Sequence, residues 1–262
     1  MQKIVDFSKY SSIKIGPKVR INIVNQICDI PKDWLIIGGC NNTLLPPNPP
    51  PIAMLGEEFS FIKKDGDFLH VGAATSGGRV LSFARKNNLK GFEILQKLPG
   101  LIGGIVKMNA GLKEWEIGKI VKKVRTKSGW IERDKIGFKY RDSGIDELIF
   151  EVVFEAKSGF DEELFKMFKN LRENQPNEPS CGSCFKNPPN DFAGRLLEES
   201  GFRGKRIGNV AFSQKHANFL VNLGGGTYDE AVELIELAKD EVFKRFGVRL
   251  EEEILVVEKT MI

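Results

Sequence analysis

The stretch Leu98-Pro99-Gly100-Leu101-Ile102-Gly103-Gly104-Ile105-Val106-Lys107-Met108-Asn109-Ala110-Gly111 holds four glycines and a proline among apolar residues. Glycine and proline this dense disfavour a stable helix or an ordinary strand, so the stretch reads as a loop. Its apolar residues argue against a solvated linker. A buried loop must find partners for its amides. Glycine lets a backbone approach a flat or charged ligand closely, and turn amides can cradle phosphate or a polar ring edge. The stretch is either a tight connection under the core or a wall against which a cofactor lies.

Upstream, Trp34-Leu35-Ile36-Ile37 is a short apolar run stopped by Gly38-Gly39. A strand running into Gly38-Gly39-Cys40-Asn41-Asn42 presents turn amides at its carboxyl end, a geometry suited to pyrophosphate. Val19 to Val24 reads as an earlier strand, and Pro46 to Pro51 as a stiff connector between lobes. Phe59 to Lys63 and Phe68 to Ala73 read as paired strands around Asp65-Gly66. A helix is expected from Gly77 to Asn88, capped by Thr75.

Downstream, Ile120 to Arg125 and Trp130 to Arg133 read as a hairpin, and Leu148 to Ala156 as a further strand. Asp161 to Leu171 has helical spacing. Glu178 to Pro189 reads as a polar, rigid turn opening a second domain. A short helix from Asp191 to Ser200 and a strand from Asn218 to Asn222 follow. Tyr228 to Phe246 is the clearest helix, with Thr227 and Glu230 as a capping box and Gly247 beyond its end. Leu250 to Val257 reads as the closing strand.

The 262 residues carry a net charge of +4, 41% hydrophobic and 28% charged residues, ordinary for a soluble protein with a proper core. The cations are scattered, so a nucleic-acid groove is not expected. No run approaches the ~18 apolar residues of a membrane span, and Met1 to Asp6 lacks the apolar core of a signal peptide. A cytoplasmic location with free thiols follows as an expectation. Cys181-x-x-Cys184 has the spacing of half a zinc site or a redox pair, but Cys28 and Cys40 lack the matching half, and no metal is expected.

Pro99-Gly100-x-x-Gly103-Gly104 followed by Met108-Asn109-Ala110-Gly111 resembles the flavin-binding segment of the UDP-N-acetylenolpyruvoylglucosamine reductases, the MurB family. Further matches keep the family's order. Tyr140-Arg141-x-Ser143 is similar to its Tyr-Arg-x-Ser, and Gly182-Ser183-x-Phe185-Lys186-Asn187-Pro188 to its Gly-Ser-x-Phe-Lys-Asn-Pro. His216 to Asn222 also fits, and Leu250-Glu251-x-Glu253-Ile254 is similar to its Leu-Glu-x-Glu-Val. The resemblance runs from about Ser11 to Val257. It departs at Cys40, a usual glycine, at Asn41, a usual serine, and at Asn174, where a basic residue is common before Gln-Pro. The absence of a long tyrosine-bearing insertion resembles the shorter branch.

The resemblance implies an α+β fold: a two-lobed FAD-binding domain of the PCMH/vanillyl-alcohol-oxidase type and a C-terminal α/β substrate-binding domain. The expected divisions are residues 1–56, 57–160 and 161–262, with the last strand returning to the active site. It implies NADPH-dependent reduction of UDP-N-acetylglucosamine-enolpyruvate to UDP-N-acetylmuramate through bound FAD, in peptidoglycan precursor synthesis, by a monomer. The alternative is another FAD-dependent oxidoreductase on the same scaffold. No separate dinucleotide fingerprint is present, which fits NADPH and substrate using one cleft in turn.

Residue by residue, the resemblance places Gly38, Gly39, Asn41, Asn42, Gly72, Thr75, Pro99, Gly100, Gly103, Gly104, Asn109, Ala110 and Gly111 at the cofactor, and Tyr140, Lys186 and Asn187 at the substrate. It makes Arg141 the cation for the substrate carboxylate, Ser183 the proton donor and Glu253 the partner of the carboxylate. An arginine stays charged and can grip a carboxylate with two hydrogen bonds. A serine needs neighbours to stabilise its anion, with Lys186 and the 182–184 amides as candidates. Alternation would put Glu253 on one face with Leu255 and Val257, and Glu252 with Ile254 and Val256. It leaves both open; the motif selects Glu253, whose burial would raise its pKa.

Overall fold

The computed structural model describes residues 1–260. They form two compact units, 1–3 with 21–39 and 51–172, and 4–20 with 40–50 and 173–260.

In the first unit, Ile52–Leu55 lies parallel to Lys18–Val24 through Asn22↔Ala53 and parallel to Leu35–Ile36 through Leu35↔Ile52. A five-stranded antiparallel sheet follows, ordered Gly129–Glu132, Val121–Thr126, Glu151–Glu155, Phe68–Gly72, Ile62–Asp65. One face carries Val124, Val152, Phe154, Leu69 and Val71 into a core with Val80, Ile102, Val106 and Phe168. Burying each such side chain stabilises the unit by roughly 1.5–3 kcal/mol.

Two expectations change here. The helix Gly77–Lys86 is capped by Ser76, whose side chain accepts from Arg79 N–H. Thr75, one residue earlier, is fully buried and donates its hydroxyl to the Phe61 carbonyl at 3.0 Å. The glycine-rich stretch is not wholly a loop: Ile102–Lys107 is a helix. Its Ile102, Ile105 and Val106 are buried, and tertiary burial overrides the poor propensity of Gly103 and Gly104.

The second unit holds a four-stranded antiparallel sheet, ordered Ser180–Ser183, Phe219–Asn222, Val210–Phe212, Arg206–Ile207. The helix Tyr228–Phe246 packs Ala231, Leu234, Ile235, Ala238 and Val242 into a core with Val210, Phe212 and Leu220. Its capping box and left-handed Gly247 are present as the sequence predicts.

The expected polar turn at 178–189 is instead part strand, with Cys181, Cys184 and Phe185 buried. Small residues pass for a turn in sequence, yet here they fill a core. The closing strand is much shorter than 250–257. Only Leu255–Val256 is strand, paired in parallel with Thr43–Leu44. Alternation fails there: Leu250, Ile254 and Val257 are buried while Leu255 is exposed, so the expected shared face of Glu253, Leu255 and Val257 does not exist. Among the described residues no helix is long and apolar enough to cross a membrane.

Candidate active site

Gly38 lies beside the glycine-rich stretch, where a Cβ would sit 3.8 Å from the Leu101 side chain. The backbone from Gly72 to Gly77 laces onto the same stretch: Gly77 N–H donates to Gly100 C=O, Ile102 N–H to Thr75 C=O, and Gly103 N–H to Ala73 C=O, each at 2.9 Å. The approach is close because Gly72 and Gly103 lack side chains. A Cβ on Gly72 would fall on the Phe59 carbonyl oxygen, and one on Gly103 would meet the Ala73 Cβ at 3.0 Å. At Gly104 a Cβ would meet nothing within 4 Å, which leaves bare backbone open on that side. Gly104 is thus open backbone beside Gly38 and Gly100 on this stretch, whereas Gly72, Thr75 and Gly103 serve its internal packing.

Asn109 is fully buried in the left-handed conformation, φ 43°. Its Nδ2 donates to Lys139 C=O at 2.9 Å and its Oδ1 accepts from Gly118 N–H at 3.1 Å. Ala110 follows, bonded to Ile105 C=O and Ile117 N–H. Gly111 then passes so near the Trp115 carbonyl oxygen that a side chain would collide with it. Asn109 therefore ties the glycine-rich stretch to the tight turn carrying Tyr140 and Arg141. That turn closes through Lys139 and Asp142, which exchange N–H···O=C bonds at 2.8 and 3.1 Å. Ser143 N–H, next in line, donates to Lys107 C=O at 3.0 Å.

Arg141 itself is left-handed, φ 59°, with its guanidinium 4.8 Å from the Tyr140 ring centroid. A non-glycine residue held in that conformation is uncommon. Arg172, not singled out by motif, is buried and donates to the Ile94 and Gln96 carbonyls, just before Leu98-Pro99. Burial, and then the charge of Arg141, lower its pKa to about 10.

In the second unit the residues expected at the substrate converge. Glu253 N–H donates to Cys184 C=O at 2.8 Å, and Lys186 N–H to Glu251 C=O at 2.8 Å. Ser183 and Glu253 thus stand on adjacent, cross-bonded segments. Asn42 reaches the same place: its Nδ2 donates to Glu253 C=O at 2.8 Å. Asn41 bonds the Ser12 hydroxyl. The side chains of both asparagines therefore have protein partners. Lys186 is ion-paired with Glu251. Asn187 accepts Ala193 N–H at 3.1 Å and so caps the helix Ala193–Glu199.

Ser183 occupies an irregular register. Ser180 faces Val221 and Ser183 faces Phe219, with a shift between them, and Gly182 takes φ 87°. Bulges of this kind re-aim a side chain. Sequence reasoning passed over Asn218, although its motif was noted: it is buried and bonds both main-chain groups of Phe185. Asn222 is likewise saturated, donating to Ile13 and Lys14 carbonyls and accepting from Gly224 and Gly226.

Cys40, Cys181 and Cys184 are buried free thiols. Burial pushes Cys40 and Cys181 up to about 12 and Cys184 well above its ordinary value. Such thiols pack rather than react. No group of three metal-ligating side chains occurs among the described residues.

Residues 175–257 match the family described as the C-terminal domain of UDP-N-acetylenolpyruvoylglucosamine reductase. The proteins of that name from Helicobacter hepaticus and Campylobacter jejuni RM1221 are each 44% identical over 259 residues, spanning 97% of this chain and 98% and 100% of theirs. The Helicobacter pylori J99 protein is 41% identical over 257 residues, spanning 98% of this chain and 99% of its own. The crystal structure of UDP-N-acetylenolpyruvylglucosamine reductase (MurB) from Thermus caldophilus superposes with a TM-score of 0.86 at 27% identity, covering 98% of this chain and all of that one. Near-full-length identity of this order, with the α+β architecture, settles the assignment: the chain belongs to the UDP-N-acetylenolpyruvoylglucosamine reductase family of oxidoreductases.

Proposed function

We propose that this chain reduces UDP-N-acetylglucosamine-enolpyruvate to UDP-N-acetylmuramate with NADPH and bound FAD, in the cytoplasm, as a step of peptidoglycan precursor synthesis. The observation that carries the reading is the cross-bonding of the Ser183 segment to the Glu253 segment through Cys184. It holds a hydroxyl and a carboxyl on neighbouring backbone, as a proton delivery beside a substrate carboxylate requires. The three-part division at 56/57 and 160/161 and the monomeric state belong to the same reading.

The residues present fit a flavin. Main chain is open at Gly104, where a Cβ would enter free space, and Gly38, Gly100 and Gly103 lie on or beside the same stretch. These glycines, with Gly39, Pro99 and the turn at Asn41 and Asn42, would hold the FAD. Gly72, Thr75, Asn109, Ala110 and Gly111 would fix their shape. FAD, when bound, supplies a hydride carrier between nicotinamide and the enolpyruvyl double bond.

The chain's own groups do the rest. Hydride addition drives negative charge toward the substrate carboxylate, and preorganised charge is the largest source of stabilisation for such a change. Arg141, always protonated, binds that carboxylate, and Tyr140 supports the guanidinium from below. Glu253 engages the carboxylate as a hydrogen-bonding partner. Ser183 gives the proton to the adjacent carbon. Its anion is stabilised by the amides of the 182–184 segment and by the cation of Lys186. Lys186 and the Asn187 NH2 also hold the UDP-sugar.

The test is NADPH consumption by purified yellow protein with and without the enolpyruvyl UDP-sugar. Substrate-dependent oxidation with formation of the UDP-muramate product supports the reading. A folded protein unable to take up flavin, or one indifferent to the UDP-sugar, removes it.

A further inference from the structure

Ser183 sits where the sheet is least regular. Between Ser180↔Val221 and Ser183↔Phe219 the strand holding Ser183 carries one more residue than its partner, and the normal ladder is lost. Main-chain groups at such a place need other partners. One residue supplies them. The Asn218 Oδ1 accepts Phe185 N–H at 3.0 Å, and its Nδ2 donates to Phe185 C=O at 2.8 Å. Its own C=O accepts Cys184 N–H at 2.6 Å. The carboxamide pairs with Phe185 as the main chain of a strand residue would.

The opposite edge of the same segment is also occupied. Cys184 C=O accepts Glu253 N–H, Lys186 N–H bonds Glu251 C=O, and Phe185 bridges antiparallel to Glu252. Residues 184–186 are therefore a central thread, with Asn218 on one side and 251–254 on the other. The Phe185 ring is fully buried and stacked on Phe212 at 6.2 Å, so the thread cannot slide without disturbing the core. Asn218 is braced in turn: its N–H donates to His216 Nδ1 at 3.2 Å, and the His216 ring stands edge-on to Phe219 at 4.9 Å.

We propose that Asn218 is a positioning residue of the reaction, fixing Ser183 against Glu253 by clamping both main-chain groups of Phe185; this rests on the function proposed above. A carboxamide offers, on separate atoms, an acceptor and a donor to the N–H and C=O of one residue at once. Aspartate keeps the acceptor and loses the donor, and alanine loses both. The segment would then be free to shift by a fraction of an ångström, enough to matter for proton delivery. Reduction of the flavin by NADPH needs neither Ser183 nor Glu253 and should not register the change.

The experiment compares wild type with Asn218→Ala and Asn218→Asp. Each flavin-loaded protein is assayed for reduction by NADPH without substrate and for reoxidation by the enolpyruvyl UDP-sugar. Thermal midpoint and hydrogen exchange at the Phe185 amide are measured on the same samples. In Asn218→Ala, reoxidation should slow about 100-fold through kcat, the magnitude of a small misplacement, with KM and NADPH reduction held within about 3-fold. The Phe185 amide should exchange faster. Should that variant not fold, the isosteric Asn218→Asp carries the same comparison with a smaller loss. Unchanged reoxidation, or equal slowing of both half-reactions, overturns the inference while leaving the function standing. A wild-type protein that the UDP-sugar cannot reoxidise overturns the function, and the inference with it.

Discussion

The N–H of Glu253 donates to the carbonyl of Cys184, the residue after Ser183, across 2.8 Å. The Ser183 and Glu253 segments are thereby cross-bonded, although the two residues are seventy positions apart in sequence. A second bond, from Asn42 Nδ2 to the Glu253 carbonyl, pins the main chain of the same residue. Backbone pairing on both flanks thus holds Glu253 in place.

Ser183→Ala follows from this arrangement. Main-chain pairing of 183–186 survives the loss of a hydroxyl, so stability should change by less than about 0.5 kcal/mol, as for a substitution outside any buried network. Reduction of the flavin by NADPH should be intact. Reoxidation by the UDP-sugar should fall about 10²–10⁴-fold, the contribution of a general acid. Stopped-flow absorbance of the two half-reactions checks it, and survival of both would remove Ser183 from proton delivery.

Arg141→Lys probes the cation separately from its backbone. The turn holds residue 141 at φ 59°, equally awkward for either side chain. Lysine keeps the charge but cannot present the two-pronged grip. Reoxidation should drop about 10²-fold or more, the usual effect of removing a preorganised donor. Arg141→Gly is the companion. Glycine relieves the left-handed strain, so the thermal midpoint should hold or rise while reoxidation is lost. Near-normal turnover in either variant would take arginine out of the mechanism.

How much of this could be read in advance depended on how local the cause was. The helix Tyr228–Phe246 was legible because its cap, apolar face and terminal glycine all lie within its own sequence. Ser76 displaced Thr75 as the cap of Gly77–Lys86 because the Thr75 hydroxyl is taken by Phe61, a partner the sequence does not point to. The helix at 102–107 was hidden by Gly103 and Gly104, whose value lies in close approach to Ala73 and in bare surface.

The site divides in the same way. Arg141, Ser183 and Glu253 were reached by resemblance, since nothing in the residues alone distinguished Glu253 from Glu252. Alternation could not help, because the pairing of Leu255–Val256 with Thr43–Leu44 spans most of the chain and leaves 250–254 irregular. Asn218 carries no signal of its own in the sequence, where it reads only as the first residue of a strand over 218–222. Its importance appears only when Phe185, 33 positions away, is seen to lack ladder partners.

The glycine surface makes a paired prediction. At Gly104 a Cβ meets nothing of the protein, and the residue lies inside a helix, where alanine is better than glycine by about 1 kcal/mol. Gly104→Ala should therefore be as stable as wild type or more so, yet bind FAD more weakly if the cofactor lies on that backbone. Gly72→Ala should do the reverse of a binding mutant. Its Cβ collides with the Phe59 carbonyl oxygen, a fixed backbone atom, and should destabilise the first unit by about 3 kcal/mol or more. Urea melts and flavin titration on both proteins separate the two effects. Wild-type flavin affinity in Gly104→Ala would remove that residue from the cofactor surface.

The thiols give a prediction with a definite sign. Cys40 and Cys181 are raised to about 12 by burial, from an ordinary value near 9, and Cys184 is likewise held well above its ordinary value by burial. Below pH 9 each thiol is protonated whether the chain is folded or not, and the stability is fully present. Between pH 9 and 12 the unfolded chain releases these protons while the folded chain keeps them, so stability falls as pH rises. Each thiol contributes a slope of about 1.4 kcal/mol per pH unit once its unfolded form is ionised. Urea melts at pH 8 and pH 10.5 should show the loss, and Cys181→Ala should shrink it by one thiol's share. A thiol reagent at pH 8 should label the folded protein at half-buried Cys28 and reach Cys40, Cys181 and Cys184 only after denaturation. Prompt labelling of Cys181 or Cys184 in the folded protein would mean that these cysteines are poised for redox chemistry and not merely packed.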